Sequence, residues 1–293
     1  MTTAAQTRAD YAVIARPDRD LLGEGPLWSA RENALYWVDI KAPRVNRLSL
    51  ASGAVQTWSM PEQIGWLIER RETPGFIAGF KSGFAQLTLE PLSITPIGAP
   101  EPHLPDNRMN DAKADRHGRI WAGTMDQRSG PQPQGSLYRL DTDLTWRTAD
   151  SGYRIANGPT FSPDGQTLYH TDSAAGVVYR FDVTEEGTLQ NRQTFVTLGD
   201  GESPDGMTTD AEGGVWIAIW DGARVSRYSP EGVLDRSIPL PARQITSCTF
   251  AGPDLDRMFV TSAAIGCEDE ALAGALFEID PGVRGLAPYA FGG

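Results

Sequence analysis

Residues 203–221 read SPDGMTTDAEGGVWIAIWD, and this stretch decides the fold. Its last seven residues, VWIAIWD (215–221), crowd β-branched and aromatic side chains into a run too short for an ordinary helix, so they predict a buried strand. Just upstream, MTTDAEGG (207–214) gives a second short strand ending in a Glu-Gly turn, where glycine supplies the positive φ of a tight hairpin. The arrangement recurs along the chain. ALYWVDI (34–40), GFIAGF (75–80), RIWAGTM (119–125), TLYHTDS (167–173) and RMFVTSA (257–263) are strands of the same kind. PLWSAREN, AKADRHGR, PTFSPDGQ and TFAGPDLD precede four of them.

Anchored on Leu35, Phe76, Ile120, Leu168, Val215 and Met258, these strands lie 41, 44, 48, 47 and 43 residues apart. A period of about 45 residues with four short strands per unit is the pattern of a β-propeller blade, and helical repeats of that length need amphipathic helices that are missing here. Six blades use nearly all of the 293 residues, which predicts an all-β, six-bladed β-propeller forming a single domain over 1–293. YAVIAR (11–16) has no blade of its own and is expected to close the ring against the last blade, covering its open edge.

In a propeller the first strand of each blade lines the central channel. Counting back five residues from the turn that ends each such strand leads from Ser29 to Glu24, Asp115 to Asn110, Ser162 to Asn157, Asp210 to Asp205, Ala251 to Thr246 and Glu69 to Ile64. Four of these six positions carry a carboxylate or a carboxamide, and glycine follows Glu24, Asn157 and Asp205. Turn formation alone accounts for Asn or Asp at any one of them. It does not account for four at one phase, including a glutamate. Convergent oxygen donors without histidine or cysteine suit a hard divalent cation. The tetrapeptide SPDG makes the same point, since in one copy Asp164 falls at a hairpin turn and in the other Asp205 falls at the channel mouth.

Composition removes other classes. Thirty-eight acidic against 26 basic residues give a net charge of −12, a surface that repels phosphate backbones and anionic lipid, so neither nucleic acid nor membrane is an expected partner. The mean hydropathy is −0.34 and no apolar run approaches the ~20 residues of a bilayer span. The opening MTTAAQTRAD lacks a hydrophobic signal core, which points to the cytoplasm, and a monomer is expected. Cys248 and Cys267 are expected to be free thiols. G-x-S-x-G, H-E-x-x-H, C-x-x-C and the P-loop motif are absent, and His103, His117 and His170 do not share a register, so they read as structural. Trp28, Trp37, Trp121 and Trp216 are expected between sheets, while Trp66 and Trp220, nearer the inferred mouth, have scope to stack on a ligand there.

Leu22-Gly23-Glu24-Gly25-Pro26, Arg108-Met109-Asn110-Asp111, Asn157-Gly158-Pro159, Pro204-Asp205-Gly206-Met207 and the C-terminal GVRGLAPYAF stand in this order, and with them the chain resembles the gluconolactonase and regucalcin (senescence marker protein) family. The resemblance implies a six-bladed propeller with one divalent metal at the channel mouth and hydrolysis of sugar lactones to aldonic acids. It implies Glu24, Asn157 and Asp205 as metal ligands and Arg108 and Asn110 as substrate contacts. A glutamate that some animal members carry after Gly-Thr-Met has no counterpart, because Met125 is followed by Asp126-Gln127-Arg128. That difference bears on substrate preference.

A lactone is an ester held in its reactive cis geometry, so a cation that polarises the carbonyl and a carboxylate that positions water are sufficient. Asp205 is then a ligand and the candidate general base, with hydroxide on the cation as the alternative proton acceptor. Arg108 is the clamp on a ring hydroxyl or developing oxyanion, with Asn110 beside it, and Asp126 and Gln127 are candidate sugar contacts. The cation is one of Ca²⁺, Zn²⁺, Mn²⁺, Mg²⁺ or Fe²⁺, since no imidazole or thiolate selects among them. The chief alternative is a non-catalytic calcium-binding regulator. A protein-interaction platform is a third, without the Trp-Asp repeat signature that would support it.

Overall fold

The computed structural model describes residues 11–130 and 132–293. Six four-stranded antiparallel sheets are arranged as blades. Their innermost strands are Gly23–Ser29, Ile64–Glu69, Asn107–Ala114, Ala156–Phe161, Ser203–Thr209 and Ile245–Ala251. Each packs against the innermost strand of the next sheet, and the last returns to the first, so the ring is closed. The six strands expected from the repeat are the second strands of the six blades, at Ala34–Asp39, Phe76–Phe80, Ile120–Asp126, Thr167–Asp172, Val215–Trp220 and Arg257–Ser262.

The N-terminal strand closes the ring as the sequence predicts. Tyr11–Val13 pairs with Phe277–Ile279, Tyr11 opposite Ile279 and Val13 opposite Phe277, and so supplies the outer strand of the sixth sheet. The hairpins between first and second strands turn on Asn33 (φ 48°), Gly118 (80°), Gly165 (70°) and Gly213 (87°), the left-handed region that glycine and asparagine tolerate best.

The core is six wedges rather than one. Trp37, Leu35 and Trp28 of the first sheet meet Phe259 and Ala251 of the sixth. Trp121 and Leu137 of the third meet Phe161 and Leu168 of the fourth, and Trp216 of the fifth meets Phe250 and Met258 of the sixth. Trp37, Trp121 and Trp216 are fully buried, and burying 150–250 Å² of aromatic surface stabilises by roughly 4–6 kcal/mol before entropy is counted. Their indole N–H groups donate to Asp20 (2.9 Å), Asp115 (2.9 Å) and Asp210 (2.8 Å), which removes the cost of burying a donor.

The C-terminal segment forms a strap across the ring that the blade repeat does not predict. Residues 283–293 cross the end of the channel opposite the mouth, where Arg284 O accepts from Ala211 N, Gly285 N donates to Leu255 O, Phe291 N to Glu69 O and Gly292 N to Gly118 O. Leu286 to Tyr289 line the lower channel, a void of about 70 Å³. No helix among the described residues is long and apolar enough to cross a membrane.

Candidate active site

Every innermost strand carries a register shift against its neighbour at one place. The shifts fall between Glu24 and Leu27, Ile64 and Trp66, Met109 and Ala112, Asn157 and Thr160, Pro204 and Met207, and Ile245 and Ser247. A bulge re-aims the side chain where it occurs. Here it turns Glu24, Asn110, Asn157 and Asp205 into one cavity of about 280 Å³, together with Arg108 and Gln127. The glycines that follow two of these residues have a steric reason. A Cβ on Gly158, at φ 38°, would sit 2.6 Å from Asp205 O, and one on Gly206 would sit 2.2 Å from Ser247 Oγ. Only glycine lets the inner strands approach closely enough for the side chains to converge.

The polar network is short-range and buried. Arg108 Nη1 donates to Asn110 Oδ1 at 2.6 Å and to Met109 O at 2.9 Å, and Asn110 Nδ2 donates to Ala156 O at 2.8 Å. Asn157 Nδ2 donates to Asp205 Oδ1 and to Ser173 Oγ. Glu24 Oε2 accepts from Gly25 N at 3.2 Å. Arg108 Nε is buried without a hydrogen-bond partner among the described residues.

Electrostatically the floor is overloaded with acid. Burial raises the Glu24 carboxyl well above the usual carboxylate range, and the charges of Asp205 and Asp111 raise it further, offset in part by Gly25 N–H and Arg108. The Asp205 carboxyl is raised well above its usual range by burial and Asp111, with Arg108 opposing. Burial also raises the Asp111 carboxyl, against Lys113. The Arg108 guanidinium is itself pushed down to about 10 by burial, less than it would be without Glu24 and Asp205. Two acidic side chains and a carboxamide thus converge where one arginine cannot balance them, a donor set that fits a hard divalent cation with positions left for water or substrate.

Two sequence expectations take a different form. Asp126 is fully buried and does not line the cavity: its carboxylate accepts from Arg128 Nη2 (2.6 Å), Arg128 Nε (2.9 Å) and Gln132 N (3.1 Å), and so holds its own loop. Those bonds lower its pKa far below the usual range. Trp66, expected near the mouth, does not line the mouth cavity: beside the bulge after Ile64 it is buried in the wedge between the second and third sheets and borders the lower channel. Trp220 does line the cavity, with Leu22, Met125, Ile155 and Ile265. His170 is buried inside its strand and the two cysteines are free and buried, as expected. The sequence reading missed Lys41, which lines the same cavity and whose Nζ donates to Gln127 Oε1 at 3.2 Å.

Fold and site together define a class: a closed six-bladed propeller with carboxylates, carboxamides and one arginine gathered at a single mouth. Comparison with known sequences makes the class specific. Residues 22–264 match the SMP-30/Gluconolactonase/LRE-like region, and the chain belongs to that family. It is 37% identical to 6-deoxy-6-sulfogluconolactonase of Pseudomonas putida over 96% of this chain and 98% of that one. It is 35% identical to L-arabinolactonase of Azospirillum brasilense over 97% of each chain. Among solved structures, the calcium-binding protein regucalcin of Agrobacterium tumefaciens superposes with a TM-score of 0.89 at 27% identity, over 97% of each chain.

Proposed function

We propose that this protein hydrolyses a sugar lactone to its aldonic acid, with one divalent cation held by Glu24, Asn157 and Asp205. The observation that carries the reading is the convergence of those three side chains with Arg108 and Asn110 in one cavity, in a chain whose relatives include two named lactonases. A bound divalent cation supplies Lewis acidity to the lactone carbonyl.

The chain's own residues supply the rest. Arg108, fixed by its 2.6 Å bond to Asn110, holds the substrate through a ring hydroxyl or the oxygen on which negative charge develops. Asp205 takes a proton from the attacking water as the new carbon–oxygen bond forms. When the ring carbon–oxygen bond breaks, that proton passes to the departing ring oxygen, so lactone and water become one hydroxy acid. The Trp220 wall covers an apolar face of the sugar, and Gln127 reaches its hydroxyls.

A calcium-binding regulator without turnover is the second reading, favoured by the likeness to a calcium-binding regucalcin. Acid release from a panel of five- and six-membered aldonolactones separates the two. Hydrolysis that a chelator abolishes and that more than one of Ca²⁺, Mn²⁺, Mg²⁺, Fe²⁺ or Zn²⁺ restores upholds the enzyme. Tight calcium binding with no turnover of any lactone upholds the regulator.

A further inference from the structure

Among 26 basic residues only three are lysines, Lys41, Lys81 and Lys113, and of these Lys41 lines the cavity. Most arginines of the chain are tied to carboxylates: Arg16 to Asp20, Arg119 to Asp115, Arg224 to Glu202, Arg227 to Asp210. Lys41 makes no ion pair among the described residues. Its half-buried ammonium lies on the cavity wall with one neutral partner, Gln127. Burial first, then the charges of Arg108 and Lys81, hold that ammonium below its ordinary range, and no carboxylate opposes them.

The carboxylates nearby are already committed. Asp111 is met by Lys113, and Glu24 and Asp205 are met by the cation of the proposed site. On the far side of Arg108 a second cavity holds Lys81, and its Glu101 accepts from Asn107, Thr124 and Tyr138. Arg108 and Lys41 are therefore left with positive charge facing a cavity of about 280 Å³, in a protein whose net charge is −12. A partly dehydrated, unpaired ammonium costs free energy unless an anion joins it.

We propose that Lys41, backed by Gln127 and by the field of Arg108 and Lys81, binds an oxyanionic substituent on the lactone, so that the preferred substrate is an acidic sugar lactone. The proposal rests on the lactonase reading above. Sulfonate, phosphate and carboxylate share the required chemistry, a compact group of acceptor oxygens that an ammonium and a carboxamide N–H can grip.

The test compares kcat/KM of the metal-loaded protein on gluconolactone with its 6-sulfonate, its 6-phosphate and the corresponding 6-carboxylate, at fixed ionic strength. At least one charged lactone is expected to exceed the neutral one by about tenfold or more, the effect of one charge-assisted hydrogen bond. In Lys41→Gln that ratio falls toward one, and in Lys41→Arg most of it returns. A wild-type ratio near one for all three anions overturns the proposal, as does an equal loss on charged and neutral lactones in Lys41→Gln. If no lactone is turned over, the lactonase reading fails by itself, and calorimetric titration with 6-sulfogluconate and with gluconate reads the subsite directly. Tighter binding of the sulfonated acid, lost in Lys41→Gln, upholds the anion subsite, and equal binding overturns it.

Discussion

Asn157 and Asp205 hydrogen-bond side chain to side chain across the boundary between the fourth and fifth sheets, although 48 residues separate them in sequence. Both are buried, and each leaves its strand at a bulge. The bond shows that the blades bring these two side chains to one point. Neither side chain is available for packing, so each has been placed at a cost that packing does not return.

That relationship gives the first prediction. Asp205→Ala removes a carboxyl that burial and Asp111 already disfavour, so the fold is expected to keep its stability within about 1–2 kcal/mol while lactonase activity falls by ~10³ or more. Asp164 is the control: it stands in the same SPDG tetrapeptide but accepts from Ser162 Oγ at 2.6 Å and Gln166 N at 3.0 Å in an exposed turn. Asp164→Ala is expected to keep activity within about twofold, since a surface turn bond is worth ~1 kcal/mol and touches no substrate. Steady-state rates and melting curves of both variants decide it. Equal loss of activity at both aspartates, with the fold intact, would refute the division.

The blade period was legible because the second strand of each blade is buried along most of its length and carries a run of β-branched and aromatic residues, most plainly in VWIAIW. The site was legible for a related reason. A bulge at nearly the same phase in six strands puts the cavity's side chains Glu24, Asn110, Asn157 and Asp205 at one sequence offset, which a count from the turn can find. Lys41 was not legible, because the direction of its loop is set from elsewhere: Asp39 accepts from the N–H groups of Leu21, Leu22, Lys41 and Ala42. Nor was the seclusion of Asp126, which depends on Arg128 folding back two residues later. The C-terminal strap has no strand periodicity at all, and its position follows from a few backbone bonds: two to the second blade and one each to the third, fifth and sixth.

His170 sets an acid limit on stability. It is fully buried, neither ring nitrogen has a hydrogen-bond partner among the described residues, and Tyr153 meets it edge-on at 4.6 Å. Burial, helped by Arg192, pushes its pKa down to about 3. The unfolded chain takes up a proton near pH 6.5 that the folded protein refuses, so stability rises with pH through the interval from about 3 to 6.5 and is lost as pH falls through it. At about 1.4 kcal/mol per pH unit, acidification from pH 7 to 4.5 is expected to cost roughly 2–3 kcal/mol through this residue. His170→Phe should lose that increment, which urea unfolding of both proteins at the two pH values measures. Parallel pH dependences would show that His170 is protonated in the fold.

Phe291 tests the strap. Its ring is fully buried in the wedge between the second and third sheets, and its N–H and C=O bond Glu69 and Arg71 at 2.8 Å each. Phe291→Ala is expected to cost about 3–5 kcal/mol, the range for emptying a buried aromatic site, and to lower the melting temperature by roughly 10 °C. The mouth lies at the other end of the channel, so activity measured well below the transition should stay within about twofold. Loss of activity in a variant that still melts cooperatively would mean that the strap acts on the site.

The last prediction separates holding the cation from holding the substrate. Among the described residues Glu24 meets no charged partner in direct contact and accepts a hydrogen bond only from Gly25 N–H, which leaves its carboxylate free for the cation of the proposed site. Among the described residues Arg108 contacts no carboxylate either, but it is fixed by Asn110 and Met109 and carries a buried Nε without a partner, as the proposed role of substrate donor requires. Glu24→Gln keeps shape and removes one charge from a two-carboxylate donor set, and is expected to weaken divalent-metal binding by about 10–100-fold, seen by equilibrium dialysis. Arg108→Ala removes positive charge next to that set, so metal affinity should hold or rise, while kcat/KM falls by ~10²–10³ through KM, kcat or both. Only Glu24→Gln thus weakens metal binding, while both variants depress activity. If Arg108→Ala releases the metal as Glu24→Gln does, the arginine belongs to the cation's support rather than to the substrate, and the assignment of roles in the cavity fails.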